Sequence, residues 1–375
     1  MQKDMHYYGT YAMARAAGMT RAAAGVVATA AQYVDDNVAR TPVVFRDGAR
    51  LIRRPTAHSI YDVARNVNFD DQRDVWLPFH FLPGGDGADY TERLRCRKDS
   101  ESARSMRDTV LTGLEGDVNA LERLGITAHV YADTFSHHGF SGVSSRKNLV
   151  DGDSFTFQPD EDMVLLMREK GRKFFAKYGV QGGLFDNVKA WAGFAAVGIG
   201  AAAVKSMIGE VGAGALGHGG VATYPDQPYL QWSFTYQADR TVVERDNPTD
   251  FHDGCRALYE MFSQAAAIRD FGDGGGRPWS EIADRVWTIL SGVVGPEEVR
   301  SQAWQDAARA GELFAEKEEI PPYAGDAWTA WLEDAHGLDY EAALDHSACR
   351  FHMAANAHRS WVQYVLMPSR NLLVA

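Results

Sequence analysis

A metal-ligating residue type recurs every four positions in the segment Ala128-His129-Val130-Tyr131-Ala132-Asp133-Thr134-Phe135-Ser136-His137, and nothing else in the chain constrains it as tightly. Four residues advance an α-helix by about 40° beyond one full turn. His129, Asp133 and His137 therefore lie along one stripe of a single helix, near enough to share one metal ion or to bridge two. A single His–x3–Asp pair on a helix is usually solvated or satisfied by hydrogen bonds. Three ligand residues in register, flanked by apolar Val130, Ala132 and Phe135, predict a metal site instead. His138 is rotated off the stripe by about 100°, so His137 is the expected ligand.

The rest of the chain sets the frame. Its 375 residues, 45% of them hydrophobic, suit a globular protein. A net charge of −12 repels phosphate backbones over most of the surface, so no stable nucleic-acid complex is expected. Cys96, Cys255 and Cys349 are far apart, which gives neither a disulfide framework nor a thiolate zinc site. The opening Met1-Gln2-Lys3-Asp4-Met5-His6-Tyr7-Tyr8 lacks the apolar core of a secretory signal, so a cytoplasmic protein is expected, exported only by a signal-independent route. The Ala/Gly-rich run from Trp191 to Val204 is shorter than the roughly 20 residues of a bilayer span. It reads as a buried or interfacial helix, the one candidate for peripheral membrane contact.

Helical pattern dominates. Thr20 is an expected N-cap for an Ala-rich helix running towards Asn37, and Ser100 or Ser102 starts the helical region that leads into the His129 segment. Further helices are expected over Asp160 to Tyr178, from Asn247-Pro248, from Pro278-Trp279, and from Tyr340 to Leu366 with a stop at Pro368. In the last of these His352 and His358 are six residues apart and share no face, so they read as packing or surface residues. Strand signal is sparse: Asp47-Gly48 between apolar arms over residues 42–52 predicts one small hairpin. The simplest organisation is a single mainly α domain over residues 1–375 with a long insertion at about 140–217.

Four more places carry ligand chemistry. His6 opens an aromatic and Ala-rich segment. Asp35 and Asp36 end an otherwise apolar helix, where the dipole disfavours carboxylates and a cation would relieve them; the two point about 100° apart, and Asp35 is preferred because it follows Ala31 by four on the small-residue face. His80 sits among Trp76, Phe79, Phe81 and two prolines. His218 lies between Gly217 and Gly219, whose backbone freedom lets it approach a crowded site, with Asp226 downstream.

This order of motifs resembles the zinc-dependent phospholipase C and P1-type nuclease superfamily, in which an N-terminal His, a helix-borne Asp, a loop His, a His–x3–Asp pair, a further His and a final His with a downstream acid surround a trinuclear zinc site. Phe79-His80-Phe81-Leu82-Pro83-Gly84-Gly85-Asp86-Gly87 is similar to that family's loop around its own His. The chain departs from the pattern in lacking the N-terminal Trp whose amine is a ligand, in the four-residue step from Asp133 to His137, and in placing Asp226 eight residues after His218. The opening Gln2-Lys3-Asp4-Met5-His6-Tyr7-Tyr8 also resembles a bacterial family of unknown function, DUF6765, over most of the chain.

The first resemblance implies a multi-helix phospholipase C/P1 nuclease-like bundle with long loop excursions, and a metal set of His6, Asp35, His80, His129, Asp133, His137, His218 and Asp226. It implies two to three Zn²⁺ ions, Fe or Mn remaining open because no thiolate biases the choice, with Asp35 or Asp36 orienting the attacking water in phosphoester hydrolysis. A phospholipid substrate would use the Trp191 to Val204 helix; a nucleotide would use aromatic stacking on Tyr224, Tyr229, Trp232 and Tyr236. Two other classes fit the same residues: a di-iron or HD-type redox metalloprotein, and a non-catalytic protein stapled by metal. Composition says nothing of oligomeric state.

Overall fold

Alternating small and large apolar residues at helical spacing make most of this chain helical, and the computed structural model describes residues 1–58, 68–158, 216–268 and 270–372. A π-helical turn, Asp4–Gly9, runs into α1 (Thr10–Ala16). Helix α2 (Arg21–Asp36) starts where the Thr20 side chain accepts the Ala23 amide, a cap worth about 1 kcal/mol, and ends at extended Asn37. Ser100 caps α3 (Glu101–Thr112) in the same way, and the stripe-bearing α4 (Ala120–Ser136) begins afresh after a turn. Then come α5 (Asn247–Ala266), α6 (Trp279–Gly292), α7 (Glu297–Ala310), α8 (Gly325–Asp334) and α9 (Ser347–Trp361).

Helix α4 is the axis of the bundle: α2, α3, α5 and α9 all pack on it. The closest crossing is at Gly125, where a Cβ would stand 2.4 Å from the Val27 carbonyl oxygen and 2.6 Å from Ala30 Cβ, so only glycine lets α2 and α4 approach this far. Nearly every residue of α4 is consequently buried, polar ones included.

The expected hairpin forms as β1 (Val43–Val44) against β2 (Arg50–Leu51), with Gly48 at φ +86° in its turn. A three-stranded antiparallel sheet that the sequence reading did not anticipate joins β3 (Val150–Gln158), β4 (Gln231–Tyr236) and β5 (Val242–Asp246) in that order. The signal was the period-2 run Trp232-Ser233-Phe234-Thr235-Tyr236, whose aromatic positions fill a second core with Phe81, Phe140, Val150, Tyr224 and Tyr229. The helix expected from Tyr340 to Leu366 is interrupted after Tyr340–Ala343 and restarts at α9, where His346 Nδ1 accepts the Ala348 amide. It then passes through Pro368, tolerated in the first turn of Met367–Ser369. Asp246, not Asn247, caps α5. The helices expected over Asp160 to Tyr178 and Trp191 to Val204 lie outside the described residues, as does most of the 140–217 insertion. Among the described residues no helix is long and apolar enough to cross a membrane.

Candidate metal centre

The ligand residues converge where the helical bundle meets the second core. They come from separate stretches of the chain: His6 from the π-helical turn, Asp35 from the last turn of α2, His80 from just after a short helical turn at Leu77–Phe79, His129 and Asp133 from α4, His137 from just past its end, and His218 and Asp226 from the loop leading to β4. They form three groups, His6/His129/Asp133, Asp35/His80/His129 and His137/His218/Asp226, each with ligand atoms within 4.8 Å of one another, and the first two share His129. These groups contain all eight expected ligands and nothing else. Asp133 joins them, with Oδ1 3.2 Å from His6 Nε2 and Oδ2 3.3 Å from His129 Nε2 and 3.6 Å from His80 Nδ1. Asp226 Oδ1 is 3.2 Å from His137 Nε2 and its Oδ2 3.8 Å from His218 Nε2. A tetrahedral shell with bonds of about 2.0–2.1 Å sets its ligand atoms about 3.4 Å apart. The observed separations bracket that value.

Backbone carbonyls fix which ring nitrogen faces the cluster. His129 Nδ1 donates to the Ala31 carbonyl at 2.9 Å, His80 Nε2 to Thr56 at 2.8 Å, His137 Nδ1 to His80 at 2.8 Å and His218 Nδ1 to Ala222 at 2.7 Å. The second nitrogen of a neutral ring is then a lone pair, and in each ring it faces a carboxylate; in His137 the donating Nδ1 also comes within 3.4 Å of Asp133 Oδ2. Burial lowers His6, His129 and His137 to about 4, outweighing Asp133 in each case, so these rings are neutral at pH 7. Asp133 is nevertheless held well below the usual carboxylate range: burial opposes this, but His137, the N-terminal ammonium, His129 and His6 prevail. Lone pairs face anionic oxygens across about 3.3 Å, an arrangement a cation resolves. Two orphans agree with this: neither ring nitrogen of His6 nor Asp133 Oδ2 has a hydrogen-bond partner among the described residues, although all three atoms are buried. The residues present therefore fit a metal centre.

Two participants escaped the sequence reading. The Met1 amino group lies 2.7 Å from Asp133 Oδ1 and 3.2 Å from both His137 Nε2 and Asp226 Oδ1. Burial would lower its pKa, but Asp133, Asp226 and Asp35 raise it to about 11. His58 lines the cavity beside the cluster and contacts Asp71 through Nε2. A lone loop histidine offers no spacing that could have marked it.

The alternatives left open at Asp35/Asp36 and His137/His138 separate cleanly. Asp35 lies 3.8 Å from His80 and 3.9 Å from His129 and is 30% exposed, whereas Asp36 turns away to accept the Tyr323 hydroxyl at 2.6 Å. Asp36 is thus not at the cluster, because adjacent helical side chains diverge by about 100°. His138 instead bonds Asp250 at 2.9 Å. Gly217, at φ +53° and packed against the Phe81 ring, supplies the close approach expected beside His218. Tyr224, Tyr229, Trp232 and Tyr236 are at most 5% exposed, so the expected stacking positions are core residues, Trp232 and Tyr236 through the period-2 burial of β4 and Tyr224 and Tyr229 in the segment just before it.

A cavity of about 210 Å³ opens onto the cluster, lined by Asp35, His80, His137, His218 and Asp226. The match of the Family of unknown function (DUF6765) runs over residues 1–366. The chain belongs to that family. No curated protein and no solved structure matches this DUF6765 member.

Proposed function

We propose that this DUF6765 protein hydrolyses phosphoester bonds at a centre of two or three zinc ions, in the manner of the zinc-dependent phospholipase C and P1 nuclease superfamily that its motif order resembles. The observation that carries the reading is the shared carboxylate of Asp133, whose Oδ1 faces His6 and whose Oδ2 faces His129 and His80, in a cluster that opens onto a cavity. Zinc, when bound, lowers the pKa of a bound water and offsets charge on phosphate oxygens. Imidazole and carboxylate donors without thiolate suit zinc in this role.

The chain's own residues do the rest. Asp133 and Asp226 hold the charge of the centre, and the Ala31, Thr56, His80 and Ala222 carbonyls keep four imidazoles in the ligating tautomer. Asp35 is the exposed carboxylate on the cavity wall and orients the attacking water, accepting its proton. A purely structural metal predicts ligands sealed from solvent, and the cavity speaks against that reading.

The test is turnover of bis-p-nitrophenyl phosphate, p-nitrophenyl phosphorylcholine and single-stranded DNA by protein purified without chelator. Chelation should abolish activity, zinc should restore it, and Asp35→Asn should lower kcat by about 10²–10⁴. A zinc-loaded sample inert on all three substrates would sink the reading. Bound iron with oxygen-dependent turnover would replace it with the redox class.

A further inference from the structure

A second cavity, of about 280 Å³, is walled by Arg40, Arg53, Arg54 and Arg359 together with Asn68 and Asp71. It adjoins the metal cavity through one pair: Asp71 lines the arginine cleft, and its partner His58 lines the metal cavity. Four guanidinium groups in one concavity are unexpected in a chain of net charge −12. We propose that this cleft is a binding site for a phosphate-class oxyanion, separate from the metal centre and independent of the hydrolase reading.

Charge in the cleft is unbalanced. Three carboxylates border the cleft, and each is committed. Asp71 binds Arg40 at 2.9 Å and contacts His58; Asp70 lies 3.9 Å from Arg73; Asp74 lies 3.5 Å from Arg73 and accepts Gln363 at 2.7 Å. Among the described residues Arg53, Arg54 and Arg359 make no ion pair with a carboxylate.

Arg359 is the decisive member because it is 2% exposed. Its nitrogens donate to neutral oxygens only: the Asp74 carbonyl at 2.7 Å, Asn356 Oδ1 at 2.9 Å and the Pro55 carbonyl at 2.7 Å. Burial pulls its pKa down to about 10 against the pull of Asp74, and Arg54 adds to the lowering. A buried guanidinium that faces a cavity with no carboxylate of the described residues in ion-pair range is costly, and an anion in the cavity offsets the cost. Arg54 is exposed at the rim, and half-buried Arg53 is held by its bond to the Thr41 carbonyl at 2.6 Å.

The ligand's class follows from the donors and the space. Guanidinium forks match the paired oxygens of phosphate, and several forks converging from different segments favour a tetrahedral oxyanion over a planar carboxylate. The volume is just under the range of about 300–1,000 Å³ typical of drug-sized ligands. It suits a small phosphorylated molecule, not a membrane surface or a nucleic-acid strand.

The test is calorimetric titration of inorganic phosphate, at constant ionic strength, into the full chain as purified. Wild type is compared with the Arg53→Gln/Arg54→Gln double variant and with Asp226→Asn at the metal centre. Arg53 and Arg54 lie at the rim, so the double variant should keep wild-type circular dichroism and metal content. Its phosphate affinity should fall at least tenfold, whereas Asp226→Asn should keep binding at the cleft. Wild-type affinity in the arginine variant would overturn the proposal, as would binding lost only in Asp226→Asn, or no binding to wild type. Phosphate binding at the cleft by a zinc-loaded wild type that hydrolyses none of the three test substrates would overturn the hydrolase reading alone.

Discussion

Helices α4 and α9 pack against each other, and both bury histidines, yet only α4 builds a candidate metal centre. On α9, His358 Nε2 bonds the Pro78 carbonyl at 2.8 Å, and His352 sits edge-on to Tyr33 and Phe351. Burial lowers His352 to about 3 and His358 to about 4, and among the described residues neither lies in ion-pair range of a carboxylate. Around α4, Asp133 stands four residues from His129 and from His137, and the lone pairs of the two rings meet the anionic oxygens of Asp133 and Asp226 respectively. A neutral imidazole can be buried at modest cost. Opposing it to a buried carboxylate makes a site, because that pairing is stable only with positive charge between the two.

The comparison breaks first at Asp133. Asp133→Ala should strip the protein of most of its metal and cost on the order of 3–5 kcal/mol, since it takes from a buried ammonium the nearer of its carboxylate partners. His129→Ala should follow it in metal loss. Elemental analysis with denaturant unfolding checks both, and full metal content in either variant would move the centre elsewhere.

Acid should act on the α9 side. The unfolded chain protonates its histidines near pH 6.5, whereas folded His358 and His352 resist until about 4 and about 3. Their stabilising effect is thus complete above pH 6.5 and is lost as pH falls towards 3. His352→Gln should flatten the dependence of unfolding free energy on pH between 6.5 and 4 in chelator-treated protein. An unchanged slope would show that His352 is not buried neutral.

His358→Ala sharpens the contrast from the other direction. It should keep the full metal content while losing about 1–3 kcal/mol, because the buried Pro78 carbonyl loses its donor. The smallest effect should come from Asp36→Asn. With its side chain turned to Tyr323, it should leave metal content at the wild-type value where Asp35→Asn lowers it. Equal metal loss in the two variants would erase the distinction that helix geometry draws.

Local periodicity made part of this legible. The His129 stripe, the Thr20 and Ser100 caps and the Asp47-Gly48 turn all rest on interactions within a few residues, where spacing alone decides which side chains meet. The sheet was harder to read because β3 carries Asp151 and Asp153 and breaks register between Asp151 and Thr156, so only β4 kept a clean alternation. The break in the last helix at Leu344 to His346 was likewise invisible, since its residues continue the helical pattern and only the His346 cap restarts the chain.

The sequence by itself determined which residue types could ligate and that His129, Asp133 and His137 share a face. Tertiary structure decided everything that depends on distant segments meeting. The Gly125 crossing brings the Ala31 carbonyl to His129, the Thr56 loop supports His80, and the Met1 amine and Asp226 reach the end of α4 from segments far before and far after it in the sequence. The same holds for the arginine cleft, where Arg53 and Arg54 meet Arg359 across about 300 residues of chain. Charge balance in a buried site is a sum over every group within a few ångströms, and no spacing along the chain encodes which groups those are.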